Sequence, residues 1–352
     1  MQKSSTYRPE LDSIRALCII FTVAGHVPGA MPLINGSVGV DVFFALSGWL
    51  VTSLLLKERQ VAGEISLGSY YLRRTFRIVP LYALTIGLYF CAAYLLQAML
   101  SQGEELSAFQ SGFVYFVTFN GEYMLHRDGL LFGHSWTLGI EEKFYLFWPL
   151  AIILLGQHNI SVLLGATILA ITILILPASN PELLVRGYVG LAAGAFAAIA
   201  SSRSTAISRG FGNLIAPRLA LLGIGFAYLA SVFLPTAIIW NLLISLFAVP
   251  LIAHLWIQQS EGSIGKVLRW TPLAALGRLT YAVYLTHVLV INAVLLVLDR
   301  LGWSPGWWLT FLLSYAASLL LGVCLHLFIE RPFIAAGRNL SRRSIKGTAV
   351  PV

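Results

Sequence analysis

Apolar stretches of roughly twenty residues, broken by polar connectors, recur along the whole chain. At ~1.5 Å rise per residue such a stretch matches the ~30 Å hydrocarbon core of a bilayer, so each one predicts a membrane-spanning helix. The candidates fall at residues 12–30 and 38–56, then a third that ends near 98. They continue at 134–155, 160–177, 186–201, 218–235, 238–257, 276–298 and 307–329. The segment before the fourth is longer and polar, with Glu104, Glu105, Glu122, Arg127 and Asp128. Its aromatic run from Phe113 to Phe119 suits the headgroup level. Pro177 and Pro181 end the fifth candidate, and Gly190 and Gly194 are spaced for close helix contact in the sixth. Beyond Arg331, Pro332 and Gly337 make the chain a poor continuation of the last helix. The expected fold is all-α, a polytopic membrane helix bundle of about ten transmembrane helices. One membrane domain covers residues 1–335, with a cytoplasmic basic tail at 336–352.

Composition agrees with this pattern. Hydrophobic residues make up 58% of the 352 and charged ones 11%, which excludes an ordinary soluble domain. The net charge of +8 would fit nucleic acid, but its distribution follows the positive-inside rule instead. With the N-terminus inside, ten spans leave eighteen Lys and Arg on the inner segments; Arg127, Arg186 and Arg300 are the three on the outer ones. That asymmetry predicts N-in, C-in. Cys18, Cys91 and Cys324 lie in apolar runs without metal or disulfide spacing. The histidines lack a zinc-type spacing and no phosphate-binding glycine loop occurs, so neither a metal nor nucleotide hydrolysis is expected. The first apolar stretch reads as a retained anchor.

Ionisable groups inside the apolar stretches carry the candidate chemistry, because such groups usually face a bundle interior or a watery path. Arg15 and His26 are eleven residues apart. At ~100° per residue they share a helix face, separated by roughly 16 Å along the axis. They either line a functional path or serve as an anchor and a satisfied interior group. Asp41 lies at a depth similar to His26, where it would orient the imidazole; it would equally suit a helix N-terminus. Glu141, Glu142 and Lys143 are three consecutive charges within one span. Thr137, Glu141 and Tyr145 form one stripe there, with Glu141 within reach of the same reaction and Glu142 and Lys143 as an ion pair. Arg73, Arg74 and Arg77 are suited to a polyphosphorylated ligand or to anionic headgroups. Tyr281, Tyr284 and His287 repeat at i+3 as a polar strip for an acceptor or as helix–helix glue. Trp136 and Tyr145 join them as substrate-binding candidates. Glu330 reads as a structural clamp to an arginine.

Taken together, these stretches resemble the acyltransferase 3 family of integral membrane acyltransferases. Arg15 and His26 match its R-x10-H signature, and GVDVFFALSGWL at 39–50 resembles the segment that follows. Arg73, Arg74, Arg77, Ile78 and Pro80 match its RRxxRxxP stretch, and SWTLGIEEKFYLFWP at 135–149 its SWxLxxEExFYLxWP. LGRLTYAVYLTH at 276–287 and Glu330-Arg331-Pro332 correspond to late motifs. Thr137 stands where serine is common and Thr286 where tryptophan is common, and neither change removes an ionisable group. About twenty residues follow the last span, so the expected form is stand-alone, without the SGNH domain that some members carry.

The resemblance implies a bacterial, multi-pass inner (plasma) membrane enzyme. It would transfer an acyl group, often acetyl from acetyl-CoA, to hydroxyls of extracytoplasmic or lipid-linked carbohydrate. Its partners would be membrane lipids and a carbohydrate or glycolipid acceptor. An extended pantetheine arm of about 15–20 Å is comparable with the roughly 16 Å between Arg15 and His26. The expected scheme has Arg15, Arg73, Arg74 and Arg77 holding the CoA phosphates. His26, oriented by Asp41 or Glu141, acts as general base or forms an acyl-histidine. Two rival readings are a transporter or flippase of a polar solute or lipid-linked glycan, and a scaffold whose buried charges merely pair. The inverted repeats expected of a transporter are not visible.

Overall fold

The computed structural model describes residues 7–31, 33–100, 104–124, 132–155, 159–213, 215–234, 237–258 and 263–347. Its helices are α1 (Pro9–His26), α2 (Ser37–Ala62), α3 (Leu67–Leu100), α4 (Glu104–Val117) and α5 (Trp136–Leu155). Next come α6 (Ile160–Ile175), α7 (Pro181–Arg203), α8 (Thr205–Gly212), α9 (Ile215–Phe233) and α10 (Ala237–Ile257). The last five are α11 (Ser263–Leu268), α12 (Thr271–Arg278), α13 (Thr280–Arg300), α14 (Trp307–Leu325) and α15 (Arg331–Gly347). Two 3-10 turns, Gly121–Met124 and Gly133–Ser135, precede α5, and a π turn, His326–Glu330, links α14 to α15. No strand occurs among the described residues. The protein is an all-α, polytopic membrane helix bundle.

Among the described residues, seven helices are long and apolar enough to cross a membrane: α2, α3, α7, α9, α10, α13 and α14 with its continuation. The other three expected spans correspond to α1, α5 and α6. At 18 and 20 residues α1 and α5 have the length, but each bears three charged side chains. These are Glu10, Asp12 and Arg15 on α1, and Glu141, Glu142 and Lys143 on α5. Helix α6 is apolar throughout but has 16 residues. Arg127 and Asp128 lie outside the described residues.

The chain divides into two compact units. One comprises Met1–Lys57, Ile160–Leu176 and Pro181–Thr280. Its core packs Leu46 and Trp49 of α2 with Ile244, Ala248 and Ile252 of α10. Gly190 and Gly194 face α2, as their spacing predicts. A Cβ on Gly190 would lie 2.9 Å from Phe44 Cβ, and one on Gly194 would run into the Ala45 carbonyl. That approach brings Asp41 of α2 onto Arg186 of α7. Asp41 Oδ1 accepts from Arg186 Nε at 3.1 Å and from Nη2 at 2.9 Å. Both side chains are buried, and Ser245 Oγ of α10 donates to the Asp41 carbonyl at 3.0 Å.

The other unit comprises Glu58–Asn159, Pro177–Asn180 and Tyr281–Val352. Its core is aromatic, with Tyr82, Tyr89, Phe109, Phe116 and Phe132 buried together. Most of the aromatic run expected at the headgroup level lies in a helix, α4, which ends at Val117. Phe109 and Phe116 turn inward, while Phe113, Val114 and Val117 stay exposed. Lys143 of α5 ties the following turn down. Its Nζ donates to Glu122 Oε1 at 2.5 Å and to the Phe119 carbonyl at 2.8 Å. Glycine at 139 makes the room, since a Cβ there would collide with the Glu122 carboxylate. Burial pushes the Glu122 carboxyl above its ordinary pKa, and the Lys143 charge opposes that shift.

The expected stop after Arg331 is corrected. The helix passes through the π turn and continues beyond Pro332 and Gly337 to Gly347. Proline breaks an α-helix because it lacks an N–H and its ring crowds the carbonyl four residues back. A wider π turn immediately before Pro332 relaxes that register. Gly337 then fits against α3, where a Cβ would lie 2.6 Å from Phe76 Cβ. The boundary expected at 335/336 thus falls inside α15.

Removing one member of a buried pair strands the other, which costs about 3–5 kcal/mol, whereas replacing both with apolar side chains is often neutral. Arg186→Ala is therefore expected to lower the thermal unfolding midpoint in detergent sharply. The double variant Asp41→Ala/Arg186→Met is expected to recover most of the loss.

Candidate active site

In the first unit, α1 runs unbroken from Pro9 to His26. Arg15 and His26 therefore keep their shared face and roughly 16 Å axial spacing. The Arg15 guanidinium lies 3.6 Å from Asp12 and 5.8 Å from the Phe43 ring centroid. Its Nε is buried without a hydrogen-bond partner. His26 ends the helix and is exposed. Its Nδ1 sits 2.8 Å from the Thr22 carbonyl. A carbonyl only accepts, so Nδ1 carries the proton of the neutral ring and Nε2 carries the basic lone pair.

Close packing fixes the corner beyond His26. A Cβ on Gly25 would come within 2.7 Å of Gly36 backbone atoms, so two glycines bring the end of α1 against the start of α2. Asn35 accepts from the Ser37 N–H at 3.0 Å and donates to Ser231 Oγ of α9 at 3.0 Å. Tyr228 of the same helix donates to the Leu33 carbonyl. Asp41, expected to orient His26, is instead engaged by Arg186. The helix's own Thr22 carbonyl meets Nδ1 in its place.

In the second unit, the stripe Thr137, Glu141 and Tyr145 is buried. Arg74 lies 3.9 Å from the Tyr145 ring centroid and faces Tyr70, Glu142 and Glu141. The three adjacent charges of α5 thus separate: Glu141 and Glu142 toward Arg74, Lys143 onto Glu122. This replaces the expected pairing of Glu142 with Lys143. It also parts Arg73 from Arg74. Arg73 turns the other way, donating to Glu58 Oε2 at 3.1 Å and to Ser341 Oγ at 3.1 Å. Arg77 is exposed, within electrostatic range of Tyr281. Glu330 clamps to His326 Nδ1 at 2.8 Å, rather than to an arginine.

The strip on α13 meets the residues that lead into α5. Tyr284 donates to the His134 carbonyl at 2.6 Å, which leaves the Thr137 hydroxyl as donor to the phenol oxygen at 2.5 Å. His287 Nδ1 donates to the Tyr284 carbonyl at 2.6 Å, and the His134 and His287 rings lie 4.8 Å apart. His134 Nε2 donates to the Leu285 carbonyl at 3.3 Å. Tyr281 donates to the Ile78 carbonyl at 2.9 Å. Trp136 is half-buried at the first position of α5. Tyr284 and His287 thus join α13 to the start of α5, while Tyr281 reaches α3.

Sequence reasoning overlooked three participants: Arg186, Glu122 and His134. The span pattern puts Arg186 on an outer segment, but Pro181 starts a helix and leaves Arg186 more than a turn inside it. A lone arginine there and a lone aspartate in another apolar stretch are a visible pairing signal. For Glu122 no local signal exists, because its partner is 21 residues away.

Comparison with known proteins addresses the remaining question. A family model described as an acyltransferase domain matches residues 8–327. A peptidoglycan O-acetyltransferase, OatA, of Listeria monocytogenes is 27% identical over 364 residues, covering 94% of this chain and 56% of that protein. A putative O-acetyltransferase of Staphylococcus aureus is 32% identical over 157 residues, 44% of this chain and 26% of its own length. The O-acetyltransferase OatA of Staphylococcus aureus strain NCTC 8325 is 33% identical over 153 residues, 42% and 25% of the two chains. The chain therefore spans little more than half the length of the first of these relatives. No solved structure matches. The matched region runs from the turn before α1 through α14 and takes in every candidate residue above except Glu330, so the chain belongs to the acyltransferase family that this domain defines.

Proposed function

We propose that the protein is a membrane-bound O-acyltransferase. It moves an acyl group, acetyl first of all, from a cytoplasmic acyl-CoA to a hydroxyl of an extracytoplasmic or lipid-linked carbohydrate. The observation that carries this reading is His26, an exposed imidazole whose Nδ1 is committed to the Thr22 carbonyl. A neutral ring held in that tautomer offers Nε2 as a general base. The naming of the Listeria relative as a peptidoglycan O-acetyltransferase supports a glycan acceptor.

In this reading α1, α5 and α6 join the seven long apolar helices to make ten spans, N-in and C-in, in a bacterial inner membrane. The eighteen-to-three distribution of basic residues supports that orientation. His26 Nε2 takes the proton of the acceptor hydroxyl as its oxygen bonds to the thioester carbonyl carbon. The carbon–sulfur bond then breaks, and the departing thiolate receives that proton from His26. Arg15, with a buried and unsatisfied Nε, holds donor phosphate by charge-assisted hydrogen bonds. Asp41 acts through Arg186 to hold α2 on α7. Within the second unit, Glu141 is the acid–base candidate, Arg73 and Arg77 are the phosphate-binding candidates, and Arg74 balances the α5 carboxylates. Trp136, Tyr145, Tyr281, Tyr284 and His287 shape the acceptor side.

Acetyl transfer by purified variants tests the scheme. His26→Ala is expected to lose about 10²–10⁴ in turnover while CoA binding, followed by calorimetry, is retained; full turnover would overturn the mechanism. Arg15→Ala is expected to weaken CoA binding about tenfold, as the loss of one charged phosphate contact would.

A further inference from the structure

In the second unit, α3 and α4 enclose a cavity that the scheme above does not use. Tyr82 of α3 donates to the Phe116 carbonyl of α4 at 2.8 Å, and the Phe90 and Phe109 rings lie 6.2 Å apart. Later residues of one helix thus meet earlier residues of the other, so α4 runs antiparallel to α3. Both contacts fall within the long apolar span of α3, which puts α4 at bilayer depth. Between the two helices lies an open-sided cavity of about 470 Å³, a size typical of small-molecule sites. Ile86, Gly87, Phe90, Phe109, Gln110 and Phe113 line it. Glycine at 87 keeps it open, since a Cβ there would meet nothing within 4 Å.

The lining is graded in polarity. Its polar side chain, Gln110, follows Phe109 at the Phe90 end, and Phe113 stands nearly one turn further along α4. With the N-terminus inside, as proposed above, the Phe90 end is the outer one. An amphiphile fits this recess with its head outward at Gln110 and its tail inward along the rings. The inner wall is also continuous with the acceptor side. Ring contacts run from Phe109 to Phe116 at 5.2 Å, to Phe132 at 5.4 Å and to His134 at 5.2 Å. His134 in turn lies 5.5 Å from the Tyr284 ring. Bulk phospholipid covers every lipid-facing helix alike and requires no recess. An isoprenoid chain has fewer free rotors per carbon than a saturated acyl chain, so a fixed, ring-walled recess immobilises it at lower entropic cost.

We propose that the α3–α4 recess is the seat of the acceptor's lipid tail, a polyprenyl chain whose phosphate-linked sugar projects past Gln110 on the outer side. This rests on the reading of the acceptor as a lipid-linked carbohydrate. It adds where the carrier is held and which chain chemistry is selected.

The test uses the full chain in phosphatidylcholine nanodiscs with a polyprenyl phosphate bearing a diazirine on its chain. After irradiation, labelled peptides are mapped by mass spectrometry. Label is expected at residues 86–90 and 109–113, competed by unlabelled polyprenyl phosphate but not by phosphatidylglycerol. Gly87→Leu, which fills the open space, is expected to reduce that label about tenfold with the melting midpoint unchanged. Phe113→Ser, at an exposed position, is expected to reduce it as well and carries the test if the leucine variant does not fold. Labelling needs no turnover, so specific label in a protein without acetyl transfer keeps the chain site while the transfer reading fails. Equal competition by phosphatidylglycerol assigns the recess to bulk lipid and overturns the proposal. Label confined to other segments, or folded variants labelled like wild type, overturns it too.

Discussion

A charge placed in an apolar helix must be matched by another charge or face water, and the architecture follows from how each one is matched. Asp41 and Arg186 show this most plainly. Each stands alone in its own stretch of sequence, and neither could be retained there without the other. Their two hydrogen bonds share one carboxylate oxygen, and the close helix approach that permits them depends on small residues of α7. Packing and electrostatics therefore select the same register, as expected of a sequence that specifies one arrangement.

The second unit solves the same problem differently. Three consecutive charges on α5 point in different directions along a helical surface, as ~100° steps require. They meet two different neighbours. A turn from outside the helix supplies Glu122 for Lys143, and α3 supplies Arg74 for the two glutamates. The adjacent imidazoles of His134 and His287 are held through backbone carbonyls, and the Tyr284 phenol through a carbonyl and the Thr137 hydroxyl. Such a network fixes ring orientation without adding charge.

The helix pattern was legible because apolar length is a strong signal and because glycine and proline mark ends and contacts. Gly190 and Gly194 announced a close neighbour, though not which one. Arg15 and His26 were legible as a pair because they share one helix, where spacing alone sets geometry. Pairings between distant segments were not. Nothing local to GVDVFF names Arg186, so the sequence offers Asp41 only the imidazole of His26 at a similar depth. The three arginines before Pro80 form one cluster in the sequence, but successive helical positions diverge, which turns Arg74 away from Arg73. Proline at 332 suggested an ending because its usual effect is local, whereas a π turn ahead of it changes the local geometry.

That π turn has a wider effect. Inserting one residue's worth of winding rotates everything downstream by about a quarter-turn relative to what precedes it. The bearing of α15 is thereby uncoupled from that of α14. The lipid-facing sequence of one helix and the charged sequence of the next can each be tuned without dragging the other out of phase, like two gears joined by an offset key.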